Sequence, residues 1–278
     1  MENQLAIGSL AAKWFYVDYR SIKDHDADYL VDGEIENDKE WNQEYHNANQ
    51  GVGYRWLYDN KEDKNVAQKV LYGHFSFAYV LEPKYLHTLK LAHCFWNFNW
   101  RKTMSDILFF QNKFVDHDEK LLDLLYEDNK KIHGDKKAKL NKDNEDFFND
   151  HVERIYVHDT LHDAMSYYEE PLYQRIKKDK SKAATDYDLF LALEHHDKLR
   201  LCREEIYVTA LERFLIPKDF KEGPIVAYRN ACCQLITSMT KGWFPRFIAL
   251  NWRDLHRPEI DFVEKFEKQK HKVKKIEV

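Results

Sequence analysis

No stretch of the 278 residues approaches the roughly 20 consecutive apolar positions that a membrane helix needs, so a helical membrane protein is not expected. No basic segment leads into a signal-like apolar core, and nothing marks the chain for export. Cysteine is scarce: there are four, with Cys232 and Cys233 adjacent in an apolar helical stretch. They show neither metal-type pairing nor a disulfide framework, which points to a reducing cytoplasm. Positive charge is not in excess either. The net charge of -5 argues against a strongly electrostatic, non-specific nucleic-acid binder, so any polynucleotide contact would rest on local patches. Repeats of solenoid spacing are missing. What is present is 44% hydrophobic and 15% aromatic content, enough for an ample core in one large domain or two modest ones.

The character of the chain changes once. Residues 1 to about 82 contain short apolar runs and turn signals, and Val70, Tyr72, Phe75, Phe77, Tyr79 and Val80 favour strands. From Pro83 onward the periodicity is helical. Pro83 suits a helix first turn, and Leu86, Leu89, Lys90, His93 and Trp96 recur at three- and four-residue steps. Further helices are expected near 102–113, 118–132, 143–150, 159–179, 186–214, 225–240, 243–254 and 258–275. The expected fold class is α+β, a small mixed sheet with a flanking helix in residues 1–100 followed by a mostly helical part in 101–278. The polar, Lys- and Asp-rich segment from Asn129 to Asp146, interrupted by Gly134, is the best linker or exposed loop.

The chemistry concentrates near the start. Leu5-Ala6-Ile7 runs into Gly8-Ser9, a helical-looking segment follows, and Asp24, Asp26 and Asp28 then recur at every second position into Tyr29-Leu30-Val31. Alternation along a strand puts those carboxylates on one face, close enough to share a divalent cation. Gly8 lets the backbone approach a phosphate. Ser9 can donate to it from a turn opening a helix, where unpaired N–H groups favour anions.

An apolar residue, Gly-Ser, a spacer and Asp-x-Asp resemble the signature of the nucleotidyltransferase superfamily of DNA polymerase β-like proteins, matched here by Gly8-Ser9 and Asp26-Ala27-Asp28, with Asp24-His25-Asp26 as a second register. Tyr85 to His93, Val157 to Ala164 and Ser238 to Phe244 resemble recurring blocks of a phage and large-virus family of unassigned function, with such an N-terminus and a helical remainder. The resemblance implies Mg²⁺ or Mn²⁺ on Asp26 and Asp28, and a nucleoside triphosphate whose β- and γ-phosphates lie at Gly8 and Ser9. The acceptor would be a nucleic acid or a protein, in the host cytoplasm if the chain is viral. Lys90, on the helix after the sheet, is placed either to meet triphosphate oxygens or to snorkel at the surface. Active members also use a third carboxylate on a later strand. Glu36, Asp59 and Glu82 are candidates, none in an apolar-acid-apolar context, and Leu10-Ala11 stands where many relatives carry an arginine.

Histidine supplies a second signal. His158 and His162, with Asp159 between them, have the spacing of two ligands on one helix face, and adjacent His-Asp is also the core of HD-type metal-dependent phosphohydrolases. His93 and His195-His196-Asp197 could contribute to a composite pocket. Asp159 or Thr160 fits a helix N-cap equally well. Three functions are therefore open: a nucleotidyltransferase, a phosphohydrolase centred on His158, Asp159 and His162, and a catalytically degenerate nucleotidyltransferase fold acting as a binding protein.

Overall fold

The computed structural model describes residues 4–19, 27–34, 36–37, 43–70, 79–96, 100–140, 187–210, 213–214, 223–237 and 243–256. They make an α+β chain of two compact units, Met1–Lys136 and Lys137–Val278.

In the first unit the apolar run at the start becomes β1 (Leu5–Ile7), buried at all three positions and central in the sheet. It passes without a linker into α1 (Gly8–Phe15). Strand β2 (Ala27–Val31) lies antiparallel beside β1, and β3 (Gln43–Asn47) runs parallel along the outer side of β2. Strands β4 (Ala67–Lys69) and β5 (Tyr79–Leu81) complete a mixed sheet of order β3-β2-β1-β5-β4, with β5 parallel to β1. The expected mixed sheet is present, and among the described residues its strands are short.

Helix α2 (Val52–Asp59) follows β3 and was not foreseen from the sequence. No local side chain caps it. Its first N–H groups instead donate to the buried carboxylate of Asp128: Val52 N at 2.9 Å, Gly53 N at 2.7 Å and Tyr54 N at 3.4 Å. A side chain at Gly51 would collide with that carboxylate, since a Cβ there would stand 2.1 Å from Asp128 Cγ.

Helix α3 (Pro83–His93) begins at proline as the sequence indicates, and buries Leu86, Leu89, Leu91 and Ala92. It packs against α4 (Trp100–Asn112), whose Met104, Ile107 and Phe110 are buried. Tyr16 and Tyr19, after α1, meet Phe109 edge-on at 5.4 and 5.1 Å. This packing moves the unit boundary from the expected position near residue 100 to Lys136, because α4 and the start of α5 (Glu119–Leu140) complete the core against α3. The new boundary falls inside the segment expected as a linker. That segment is helical through Leu140 rather than a loop, and Asn129 is fully buried.

The second unit contains α6 (Tyr187–Leu191), α7 (His195–Ala210), α8 (Pro224–Ile236), α9 (Trp243–Leu250) and α10 (Trp252–His256). The single helix expected over 186–214 is broken between Leu191 and His195. Phe190 packs against Trp243 at 4.7 Å, and Tyr228 donates to the Leu255 carbonyl at 2.6 Å. The helices expected at 143–150, 159–179 and 258–275 lie outside the described residues. No described helix is long and apolar enough to cross a membrane.

Candidate functional site

Sheet register builds the first half of the site. Ile7, Asp28 and Glu44 are partners across β1, β2 and β3, so their side chains leave the same face, and His46, two positions after Glu44, joins them. The opposite face carries Tyr29 stacked on Tyr45 at 5.6 Å. Desolvation, then the neighbouring Tyr45 and Asp28, pushes the Tyr29 phenol up to about 12.

Gly8 sits where β1 turns into α1, with φ of +81°, in the left-handed region that favours glycine. A Cβ at this position would lie 2.0 Å from Asp28 Oδ2. The bare glycine thus makes the turn and leaves room for the Asp28 carboxylate. α1 has no side-chain cap, so its N-terminus has the polarity that favours anions.

Above this face lies a cavity of about 500 Å³, within the range of small-molecule sites. Ile7, Gly8, Asp28, Glu44 and His46 line it from the sheet, and Leu86, Leu89, Lys90 and His93 from α3. Lys102 and Thr103 of α4 and Asn129 and His133 of α5 also line it, with Trp96. Donor atoms of Asp28, Glu44 and His46 all lie within 4.8 Å of one another, and His46 Nε2 stands 3.6 Å from Asp28 Oδ1. Asp28 raises the His46 pKa above its ordinary value through this contact, against the opposing effect of burial. Two carboxylates and an imidazole fit a divalent cation, with open space on the cavity side for its remaining ligands.

The helical half is a hydrogen-bonded network. The Ala92 carbonyl can only accept, so Asn129 Nδ2 donates to it at 3.3 Å and Asn129 Oδ1 receives the Tyr54 hydroxyl at 2.9 Å. The Tyr54 oxygen is then the acceptor for His93 Nε2–H, also 2.9 Å away. The Nδ1 atom of His93 keeps its lone pair. Water reaches this ring, yet protein encloses it, as on a cavity wall; desolvation, then Lys90, His46 and His133, holds its pKa down at about 3. Burial raises the Tyr54 phenol as well. Trp96 is almost fully buried, and its indole N–H has no hydrogen-bond partner among the described residues.

The fold brings together Gly8, Asp28, Lys90 and His93 from among the residues that the sequence marks. The Lys90 ammonium is already paired, 2.9 Å from the buried Asp106 carboxylate. Ser9 is buried in the first turn of α1 and is not part of the cavity lining. Asp26 lies outside the described residues, as do His158, Asp159 and His162. Of the carboxylates considered as a third acid, Asp59 is bound to Arg55, Glu82 accepts from Gln68, and Glu36 is exposed away from the cavity lining. Glu44 is the carboxylate that strand register sets beside Asp28. Its signal in the sequence was the two-residue spacing of Glu44 and His46, hidden in a strand whose other residues are Gln43, Tyr45 and Asn47. His195, His196 and Asp197 belong to the start of α7 in the second unit, and His93 to the first.

No curated protein and no solved structure matches the chain. A family model described as a domain of unknown function, DUF7275, matches residues 85–271, beginning within α3 and leaving the sheet and its Asp28, Glu44 and His46 outside the match. With most of its length matched, the chain belongs to the DUF7275 family.

Proposed function

We propose that the first unit is a metal-dependent nucleotidyltransferase that moves a nucleotidyl group from a nucleoside triphosphate to an acceptor hydroxyl. The observation that carries this reading is the meeting of Gly8, Asp28 and Glu44 at one end of the cavity: a strand-to-helix glycine turn beside two carboxylates on adjacent strands. The phosphates would lie near the Gly8 turn, beside the Asp28 carboxylate, at the end of α1 whose polarity favours anions. Asp28 and Glu44, with Asp26 by the superfamily resemblance, would hold a divalent ion. That ion, Mg²⁺ or Mn²⁺, would neutralise charge on the transferring and leaving phosphates. Lys102 adds an ammonium to the cavity lining, while Lys90 is assigned a positioning role through Asp106.

In the reaction the acceptor oxygen bonds to the α-phosphorus and the bond from that phosphorus to the bridging oxygen breaks. Pyrophosphate leaves, and the hydroxyl proton passes to a base. Positioning and fixed charge would supply most of the catalysis. The acceptor class, nucleic acid or protein, belongs to the same proposal, as does the phage or large-virus ancestry.

The pairing of Lys90 with Asp106 favours a second reading, in which the cavity binds a nucleotide without turning it over. Incubation of the full chain with α-labelled nucleoside triphosphates and Mg²⁺ or Mn²⁺ separates the two. Transfer of label to protein or nucleic acid with pyrophosphate release, lost in Asp28→Asn and Glu44→Gln, is the expected result. Retention of nucleotide with no pyrophosphate release selects the binding protein, and absence of both overturns the nucleotide reading.

A further inference from the structure

The histidine beside the two carboxylates has no part in the superfamily signature. We propose that Asp28, Glu44 and His46 form a one-nitrogen, two-oxygen seat selective for a first-row transition ion of the Mn²⁺, Co²⁺ and Zn²⁺ class over Mg²⁺. The inference deepens the metal part of the preceding reading and stands on the donor set itself.

Geometry is the first support. At 3.6 Å, His46 Nε2 and Asp28 Oδ1 are too far apart for a direct hydrogen bond of ordinary length. Two ligands about 2.1 Å from one ion in a tetrahedral shell stand roughly 3.4 Å apart, so the observed separation matches the span of a shared ion. Glu44 belongs to the same group within 4.8 Å, and strand register fixes its alignment with Asp28 without any loop. His46 follows on the same strand face. All three side chains project from adjacent strands, so small side-chain rotations bring the donors to bonding distance without moving the backbone.

Ligand chemistry is the second support. Mg²⁺ prefers oxygen donors and gives up its water reluctantly, whereas an imidazole nitrogen suits the later first-row ions. Three protein ligands with an open side toward the cavity leave coordination positions for water or a phosphate oxygen, as in reactive rather than closed metal sites. The apolar Leu86 and Leu89 on the facing wall lower the polarity around the seat without competing as ligands.

The test uses the full chain, stripped with EDTA and dialysed, and the metals alone. Co²⁺ is titrated by visible absorption, and Zn²⁺ and Mg²⁺ by competition. The wild-type protein is expected to take up Co²⁺ at this seat, with the ligand-field bands of a nitrogen- and oxygen-bound ion. His46→Ala is expected to weaken Co²⁺ and Zn²⁺ by about tenfold or more while changing Mg²⁺ by less than about threefold. Glu44→Gln should weaken all three. His46 lies on the edge strand and is partly exposed, so the substitution should be tolerated; His46→Gln and a thermal melt of each variant separate lost ligation from lost folding. A Co²⁺ titration that both His46 variants leave unchanged, or wild-type Mg²⁺ affinity equal to that for Co²⁺, overturns the seat. Nucleotide binding in Mg²⁺ is measured in parallel. Loss of metal selectivity with nucleotide binding kept defeats this inference alone, and selective Co²⁺ binding with no nucleotide affinity defeats the transferase alone.

Discussion

The two walls of the cavity differ in how their polar groups are satisfied. On the sheet wall, Asp28, Glu44 and His46 are partly exposed and gathered within 4.8 Å, and the closest described contact between His46 and Asp28 is a loose 3.6 Å. On the helix wall the groups are tied to one another: Lys90 to Asp106 at 2.9 Å, and His93 through Tyr54 to Asn129. Behind it, Asp128 holds the start of α2. Groups already paired with one another gain little from a ligand, whereas adjacent like charges gain from a cation. The paired groups of the helix wall therefore act as scaffold, and the proposed cation seat lies on the sheet wall.

The largest effect should come from breaking the helix wall. Lys90→Met removes the ammonium 2.9 Å from the buried Asp106 carboxylate and should lower stability in urea unfolding by about 3–5 kcal/mol, while the double variant Lys90→Met with Asp106→Leu should recover most of it. A single substitution within about 0.5 kcal/mol of wild type, the usual range for surface changes, would show that the ammonium is free to serve a ligand instead.

Next comes the cap of α2. Asp128→Ala removes the acceptor for three backbone donors and should cost about 2–3 kcal/mol. Indifference to this change in a denaturation curve would mean that water caps the helix as well as the carboxylate does.

On the sheet wall, Gly8→Ala forces an alanine into φ of +81° and pushes its Cβ onto Asp28. About 1–3 kcal/mol should be lost, and metal affinity should fall with it because Asp28 must turn away. Retained metal binding at reduced stability would confine Gly8 to its turn.

The smallest effect is a pair of titrations with opposite signs. His46 is raised by Asp28, so their contact contributes stability that is complete below the ordinary histidine value of 6.5 and fades as pH rises through the raised one. His93 is lowered to about 3, so the stability it contributes as a neutral ring is complete above 6.5 and is lost as pH falls toward 3. Imidazole NMR should show Asp28→Asn bringing His46 down and leaving His93 neutral at pH 5. Equal titration of both rings near 6.5 would erase the contrast between the walls.

Much of the fold was legible because the signals are local. Leu5 to Ile7 ending at Gly8, Pro83 opening α3 and the three- and four-step periodicity of Leu86 and Leu89 follow from short-range rules, and the elements form there. Helix α2 carries no local start signal, because its N-terminal acceptor, Asp128, comes 76 residues later in the chain than Val52. The segment around Asn129 reads as polar linker, yet its amide is buried against Tyr54, a pairing that composition cannot reveal. At the site, Gly8 and Asp28 stood out through spacing. Glu44 and His46 did not, since β3 is an edge strand whose alternation is polar with polar, and only its register against β2 makes Glu44 a neighbour of Asp28.

The sheet wall is proposed to bind a nucleotide through a divalent ion. Calorimetry of ATP with wild type and Asp28→Asn, each in Mg²⁺ and in EDTA, tests it most directly. Binding is expected to the wild-type protein in Mg²⁺ alone, abolished by EDTA and by Asp28→Asn without loss of the unfolding transition. Equal ATP affinity in Mg²⁺ and EDTA, or in the wild type and Asp28→Asn, would contradict it.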